Sequence, residues 1–193
     1  MIPFPDKKYS IIYADPAWQY SDTHTSGAAE DHYHTMTVKE ICALPVQDIA
    51  ADNAALLLWA TYPLLPEAFE VIEAWGFEYK TVAFCWVKRY PNGHYCISLG
   101  NYTRSNTEPC LLAIKGRMKA LDKTISQLII TTREQHSKKP KIARENIVRL
   151  FGDLPRIELF SRDKIEGWDC WGNQIPDSEQ RLLKLEKIPE VPA

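Results

Sequence analysis

The stretch Tyr9-Ser10-Ile11-Ile12-Tyr13-Ala14-Asp15-Pro16-Ala17-Trp18 decides how the rest of the chain is read. Its first six residues form a short apolar run of strand-forming types. Pro16, which has no N–H to give a neighbouring strand, stops it. A carboxylate, a proline and an aromatic ring therefore follow one another just past the carboxyl end of a buried strand, where open α/β sheets hold their ligands. Asp15 can accept a hydrogen bond from an amine. Pro16 fixes its own φ and holds a backbone carbonyl as a second acceptor. Trp18 offers a flat face on which a base could stack, a contact worth about 1–3 kcal/mol. The same tetrapeptide has a plainer reading, because Asp-Pro also marks ordinary turns and a tryptophan there can simply fill core.

Further apolar runs at Ala54–Ala60, Thr81–Val87, Cys110–Ile114, Gln127–Thr131 and Arg156–Phe160 read as strands. Between them lie helical signals. Thr37-Val38-Lys39-Glu40 is a capping box that opens a short helix to about Leu44. Pro63 starts a helix that stops between Trp75 and Gly76. Ser137 caps a helix with Pro140 in its first turn, ending at Phe151 before Gly152. A closing helix is expected over Ser178–Glu186. Strands alternating with helices, each strand nearly all apolar, predict an α/β sheet covered by helices on both faces. At 193 residues and 45% hydrophobic, the chain suits one domain over 1–193. Polar loops are expected at Gln19–His34 and Lys88–Thr107.

Net charge is −2, yet residues 101–150 hold 11 Lys and Arg against 4 Asp and Glu. Such a local surplus suits an anionic partner on one face, and equally a solvated helix and loop. Five scattered cysteines without a C-x-x-C pair point to reduced thiols in a cytoplasmic compartment rather than a disulfide scaffold. No signal peptide and no membrane span is expected. His32 and His34 lack ligand partners at metal spacing, so no metal is expected.

The tetrapeptide resembles the D-P-P-W signature of amino-methyltransferases. From about Tyr9 to Ile175 the chain is similar to the adenine-N6 methyltransferase family that includes methyltransferase-like protein three, most of all to its short bacterial and phage members. Four stretches carry the resemblance: Tyr13–Trp18, with Ala17 where the family usually has a second proline; Tyr33–Ile41; Asn106–Gly116; and a C-terminal set. That set comprises Ser137-Lys138-Lys139-Pro140, Ile157–Arg162 and Trp171-Gly172-Asn173-Gln174. The resemblance implies a class I S-adenosylmethionine-dependent methyltransferase (Rossmann-like) fold with permuted motif order, the catalytic strand first and the cofactor strand near the end. That order accounts for the missing N-terminal G-x-G-x-x-G loop. It implies S-adenosylmethionine as cofactor, held by Asp15, Ser137, Lys139, Pro140, Phe160, Arg162, Asn173 and Gln174. Where some members place a lysine toward the cofactor carboxylate, Thr107 stands here, with Arg104 as the nearby substitute.

Asp15, Pro16 and Trp18 are then the catalytic residues, acting on the N6 amine of adenine. That amine is a weak nucleophile because its lone pair is delocalised into the ring. Two acceptors on its hydrogens would return the lone pair to nitrogen, and positioning would do the rest. The base must be flipped out of a duplex or taken from a single strand. Tyr20, His32, Tyr33, Lys88, Arg89, Arg104 and Asn106, with Tyr90 and His94 beside them, are the expected substrate contacts, and Lys115–Lys141 would add contacts to phosphate. DNA is the favoured substrate. RNA adenosine is the alternative, and a non-catalytic nucleic-acid-binding partner is the third reading, opposed by the retention of Asp15, Pro16 and Trp18.

Overall fold

The computed structural model describes residues 3–19, 35–100, 102–133 and 138–175. The helix expected over Ser178–Glu186 lies outside them. Tyr9–Ala14 forms strand β1, beside the central strand of a seven-stranded sheet. The other strands are β2 (Ala50–Trp59), β3 (Glu78–Arg89), β4 (Thr107–Lys115), β5 (Leu128–Thr132), β6 (Arg156–Leu159) and β7 (Asp169–Trp171). The sheet order is β5-β3-β4-β2-β1-β6-β7. β4 runs antiparallel to both its neighbours, and every other pairing is parallel.

β1 and β2 alternate between two cores, as strands buried on both faces must. Ile12, Ala14, Leu56 and Leu58 point to one core. Ile41 of α1 (Val38–Cys42), Val46 and Ile49 of α2 (Val46–Ile49), and Ala68, Val71 and Ile72 of α3 (Leu65–Ala74) fill it. Ile11, Tyr13, Leu57 and Trp59 point to the other, closed by Ala143, Ile147 and Phe151 of α4 (Lys141–Phe151). Both faces of the sheet centre are thus covered by helices.

The helix ends follow their sequence signals closely. Thr37 and Glu40 form the expected capping box. At the end of α3, Gly76 has φ 78°, its N–H donates to the Glu73 carbonyl, and that of Phe77 donates to Ile72. This is a Schellman closure, which a left-handed residue makes possible. Two helix starts differ. Pro63 lies in a 3-10 turn over Tyr62–Leu64, and α3 itself starts at Leu65. Pro140 is the N-cap of α4 rather than a residue of its first turn, and no side chain caps it.

Two elements have no counterpart in the apolar runs: α2, and β7 on the far edge. β3 also begins three residues before the expected Thr81 and ends two after Val87. Its extra residues Glu78, Tyr79 and Lys80 are exposed, so no hydrophobic run marks them.

Candidate active site

The parallel strands end in step. Ala14 lies opposite Leu58 on one side and Leu159 on the other, so Asp15, Trp59 and Phe160 emerge together at one edge. β4 runs the other way, with Cys110 opposite Trp59, and therefore brings Glu108 to the same edge. The turn leading into α4 supplies Lys139.

Lys139 Nζ donates to Asp15 Oδ2 at 2.8 Å and lies 3.5 Å from Glu108 Oε2. The Lys88 ammonium donates to the other Glu108 oxygen. Two carboxylates and two ammonium groups thus form a chain from β1 to β3. Lys139 is 11% exposed in its side chain and Asp15 27%, so the lysine is the interior member while the aspartate opens to the edge.

The electrostatics follow from that placement. Burial pushes the Asp15 carboxyl up; the Lys139 ammonium opposes this without cancelling it, and Arg162 adds a smaller pull in the same sense as Lys139. Burial also pushes on Glu108, but Lys139 and Lys88 outweigh it and hold that carboxyl below its usual range. Lys139 is itself held protonated: burial works against its charge, and the two carboxylates more than offset it. Asp15 is the member of the set whose charge is least secured.

The loop after Asp15 is locked by the backbone. The Trp18 N–H donates to the Pro16 carbonyl at 2.9 Å, and that of Met36 donates to the Ala17 carbonyl at 2.8 Å. The Pro16 oxygen keeps one lone pair beyond that turn bond. The Trp18 ring is only 6% exposed, lies within the core and donates its indole N–H to the Trp59 carbonyl at 3.1 Å. This corrects the expectation of a base-stacking face: the ring anchors the catalytic loop to the end of β2.

On the other side of β1, Phe160 and Arg162 follow β6 and Asn173 and Gln174 follow β7. Phe160 takes φ 62°, a conformation rare for a bulky side chain and found chiefly where the surroundings enforce it. Its ring packs edge-on against Trp171 at 5.7 Å. A Cβ on Gly172 would meet the Ser161 carbonyl oxygen at 2.1 Å, so the two backbones touch and carry Asn173 beside Phe160–Arg162. This close approach requires glycine.

These residue types fit S-adenosylmethionine. Asp15 and Lys139 match an ammonium and a carboxylate, the Asn173 and Gln174 amides match a diol, and the half-buried Phe160 ring matches a base. Pro140 is buried at the head of α4 and serves the backbone turn that presents Lys139. Ser137, Tyr20, His32 and Tyr33 lie outside the described residues.

The remaining substrate candidates divide. Lys88 is tied to Glu108, also with its ammonium 4.6 Å from the Trp86 ring centroid. Arg89 donates to the Tyr95 hydroxyl at 3.0 Å and lies over that ring. Arg104 and Asn106 are exposed, with Asn106 just before β4. Thr107 donates to the Tyr62 hydroxyl at 3.0 Å, so it contributes no cation, and Lys139 is the cation beside Asp15. Glu108 is the site member that sequence reasoning left off its list. Its signal was a carboxylate at the head of a buried strand.

Comparison with known proteins identifies the family. The MT-A70 family model matches residues 9–174. The chain is 37% identical to the Type II methyltransferase M.MunI of a Mycoplasma species, over 96% of this chain and 86% of that protein. It is 26% identical to the N(6)-adenosine-methyltransferase MT-A70-like of Arabidopsis thaliana, over 86% of this chain but 24% of the plant protein. It is 25% identical to the human N(6)-adenine-specific methyltransferase METTL4, over 88% of this chain and 38% of that one. The chain belongs to the MT-A70 family, and it is a methyltransferase.

Proposed function

We propose that the protein methylates the N6 amine of adenine in DNA, using S-adenosylmethionine. The observation that carries this reading is Asp15 at the end of the inner strand β1, partly open to the edge and held on one oxygen by buried Lys139. Bound there, the cofactor would supply an electrophilic methyl group. Asp15 Oδ1 and the free lone pair of the Pro16 carbonyl accept the two amine hydrogens, which draws the nitrogen lone pair out of conjugation. Trp18 keeps that loop in place. Lys139 favours the ionised form of Asp15 against burial, and a protonated carboxyl would lose its acceptor strength. No general base is needed beforehand, because the amine proton becomes acidic only once the new bond forms; the proton would then pass to the Asp15 carboxylate and on to solvent. Phe160, Arg162, Asn173 and Gln174 hold the cofactor.

The adenine reaches this recessed edge flipped out of a duplex or from a single strand. DNA is favoured over RNA because the Type II methyltransferase is matched over most of its length, while the adenosine methyltransferases of plants are matched over about a quarter. We read the chain as one cytoplasmic methyltransferase domain. Among the described residues no helix is long and apolar enough to cross a membrane.

Transfer of tritium from methyl-labelled S-adenosylmethionine to matched DNA and RNA oligonucleotides tests the reading. Label in DNA adenine well above RNA is expected. Binding of the cofactor with no transfer to either would refute it, and preference for RNA would reverse the substrate.

A further inference from the structure

Between β3 and β4 the chain leaves the catalytic edge in a paired excursion. The Cys96 N–H donates to the Lys88 carbonyl at 2.8 Å, and Arg89 pairs with Tyr95. Ser98 and Ser105 exchange backbone bonds of 2.7 and 3.3 Å, closing off the loop 99–104. A Cβ on Gly100 would meet the Thr103 carbonyl oxygen at 2.1 Å, so Gly100 and Thr103 lie backbone to backbone. Its apolar side chains nonetheless face outward. Leu99 is 80% exposed, Tyr102 is fully exposed, and Ile97 is more than half exposed. Three large apolar side chains exposed within six residues are a candidate interaction site.

The charge around it says what the surface meets. Residues 88–107 contain Lys88, Arg89 and Arg104 and no Asp or Glu. Arg133 joins them, its backbone N–H bonded to the Arg89 carbonyl and its guanidinium 4.9 Å from the Tyr90 ring centroid. Exposed apolar side chains on a segment that carries cations and no carboxylate of its own match a nucleic-acid duplex: anionic outside, stackable within. The excursion is also wired to the site, because Lys88 at its base holds Glu108, which meets Lys139 and through it Asp15.

We propose that the loop 99–104 is a wedge, with Leu99 and Tyr102 entering the base stack of a DNA duplex at the step vacated by the target adenine. Arg89, Arg104 and Arg133 grip the flanking phosphates. The inference rests on the nucleic-acid substrate assigned above and adds how the duplex is held open. Apolar side chains inserted between base steps offset part of the unstacking cost, and that cost is lowest where a base is already missing.

The test compares wild type with the double variant Leu99→Ser, Tyr102→Ser, both as the full chain with S-adenosylmethionine present. Fluorescence anisotropy reads binding to an intact duplex, to the same duplex with an abasic gap at the adenine, and to the single strand. Wild type should prefer the gapped duplex by about tenfold, and the variant should lose that preference while its single-strand affinity changes less than about twofold. A variant that retains the preference, or weakens equally on all three DNAs, would overturn the wedge. So would a wild-type dimer that the substitutions dissociate, since the patch would then be a protein interface. Both side chains are exposed, and an unchanged melting curve confirms the fold. Binding is read separately from methyl transfer. A protein that binds this way yet transfers nothing overturns the proposed reaction alone, and an active enzyme indifferent to both substitutions overturns the wedge alone.

Discussion

Asp15 carries the account at the scale of single residues, and its surroundings set a pH dependence. Burial raises its carboxyl above the usual range, and Lys139 partly opposes the rise. Only the ionised carboxylate is a strong acceptor, so kcat/KM should rise with pH as Asp15 loses its proton and level off above. Lys139→Met removes the opposing charge, which should move that acid limb to higher pH and leave the plateau reachable at alkaline pH. A pH–rate profile at sub-saturating DNA checks this; an unmoved limb would mean that Lys139 does not govern Asp15. Asp15 was legible in the sequence because it ends an apolar run at a proline. Its pairing with Lys139 was not, since the two are 124 positions apart and meet only once α4 packs against the sheet. Trp18 was misread for a related reason: an aromatic beside a site looks the same in sequence whether it faces ligand or core.

Among elements, the central strands were readable and the edges were not. β1, β2 and β4 are buried on both faces at their middles, and that leaves an apolar run in each, such as Ala54–Trp59 and Cys110–Ile114. β7 has three residues and α2 four, too few for any period to show. The direction of β4 is likewise absent from its hydrophobicity, although that direction delivers Glu108 to the site. α4 is tied to β6 by a bidentate pair: Arg144 donates to both Glu158 oxygens, at 2.5 and 2.7 Å, with both side chains nearly buried. The guanidinium also lies over Tyr13 of β1. Arg144→Met leaves the Glu158 charge buried without its partner, so unfolding free energy should fall by about 3–5 kcal/mol. Urea denaturation measures it, and a loss below about 1 kcal/mol would show that the pair contributes little to holding α4 on the sheet.

The whole molecule divides its labour along one edge of the sheet. Parallel strands ending in step place Asp15 between the β6–β7 residues assigned to the cofactor and the cationic β3–β4 excursion assigned to DNA. The acidic remainder of the chain lies elsewhere in sequence, which is why a net charge of −2 conceals a basic segment. Motif order along the chain disclosed this plan, and the ion-pair chain that couples its parts had to be seen in three dimensions. The most direct measurement is the N6-methyladenine content of DNA, by nucleoside mass spectrometry, after incubation with S-adenosylmethionine and either wild type or Asp15→Asn. The account predicts methylated adenine with wild type and a rate lower by about 10²–10³ in the variant, as for loss of one acceptor or donor that acts in the transition state. Equal rates in a variant that still binds the cofactor would contradict it.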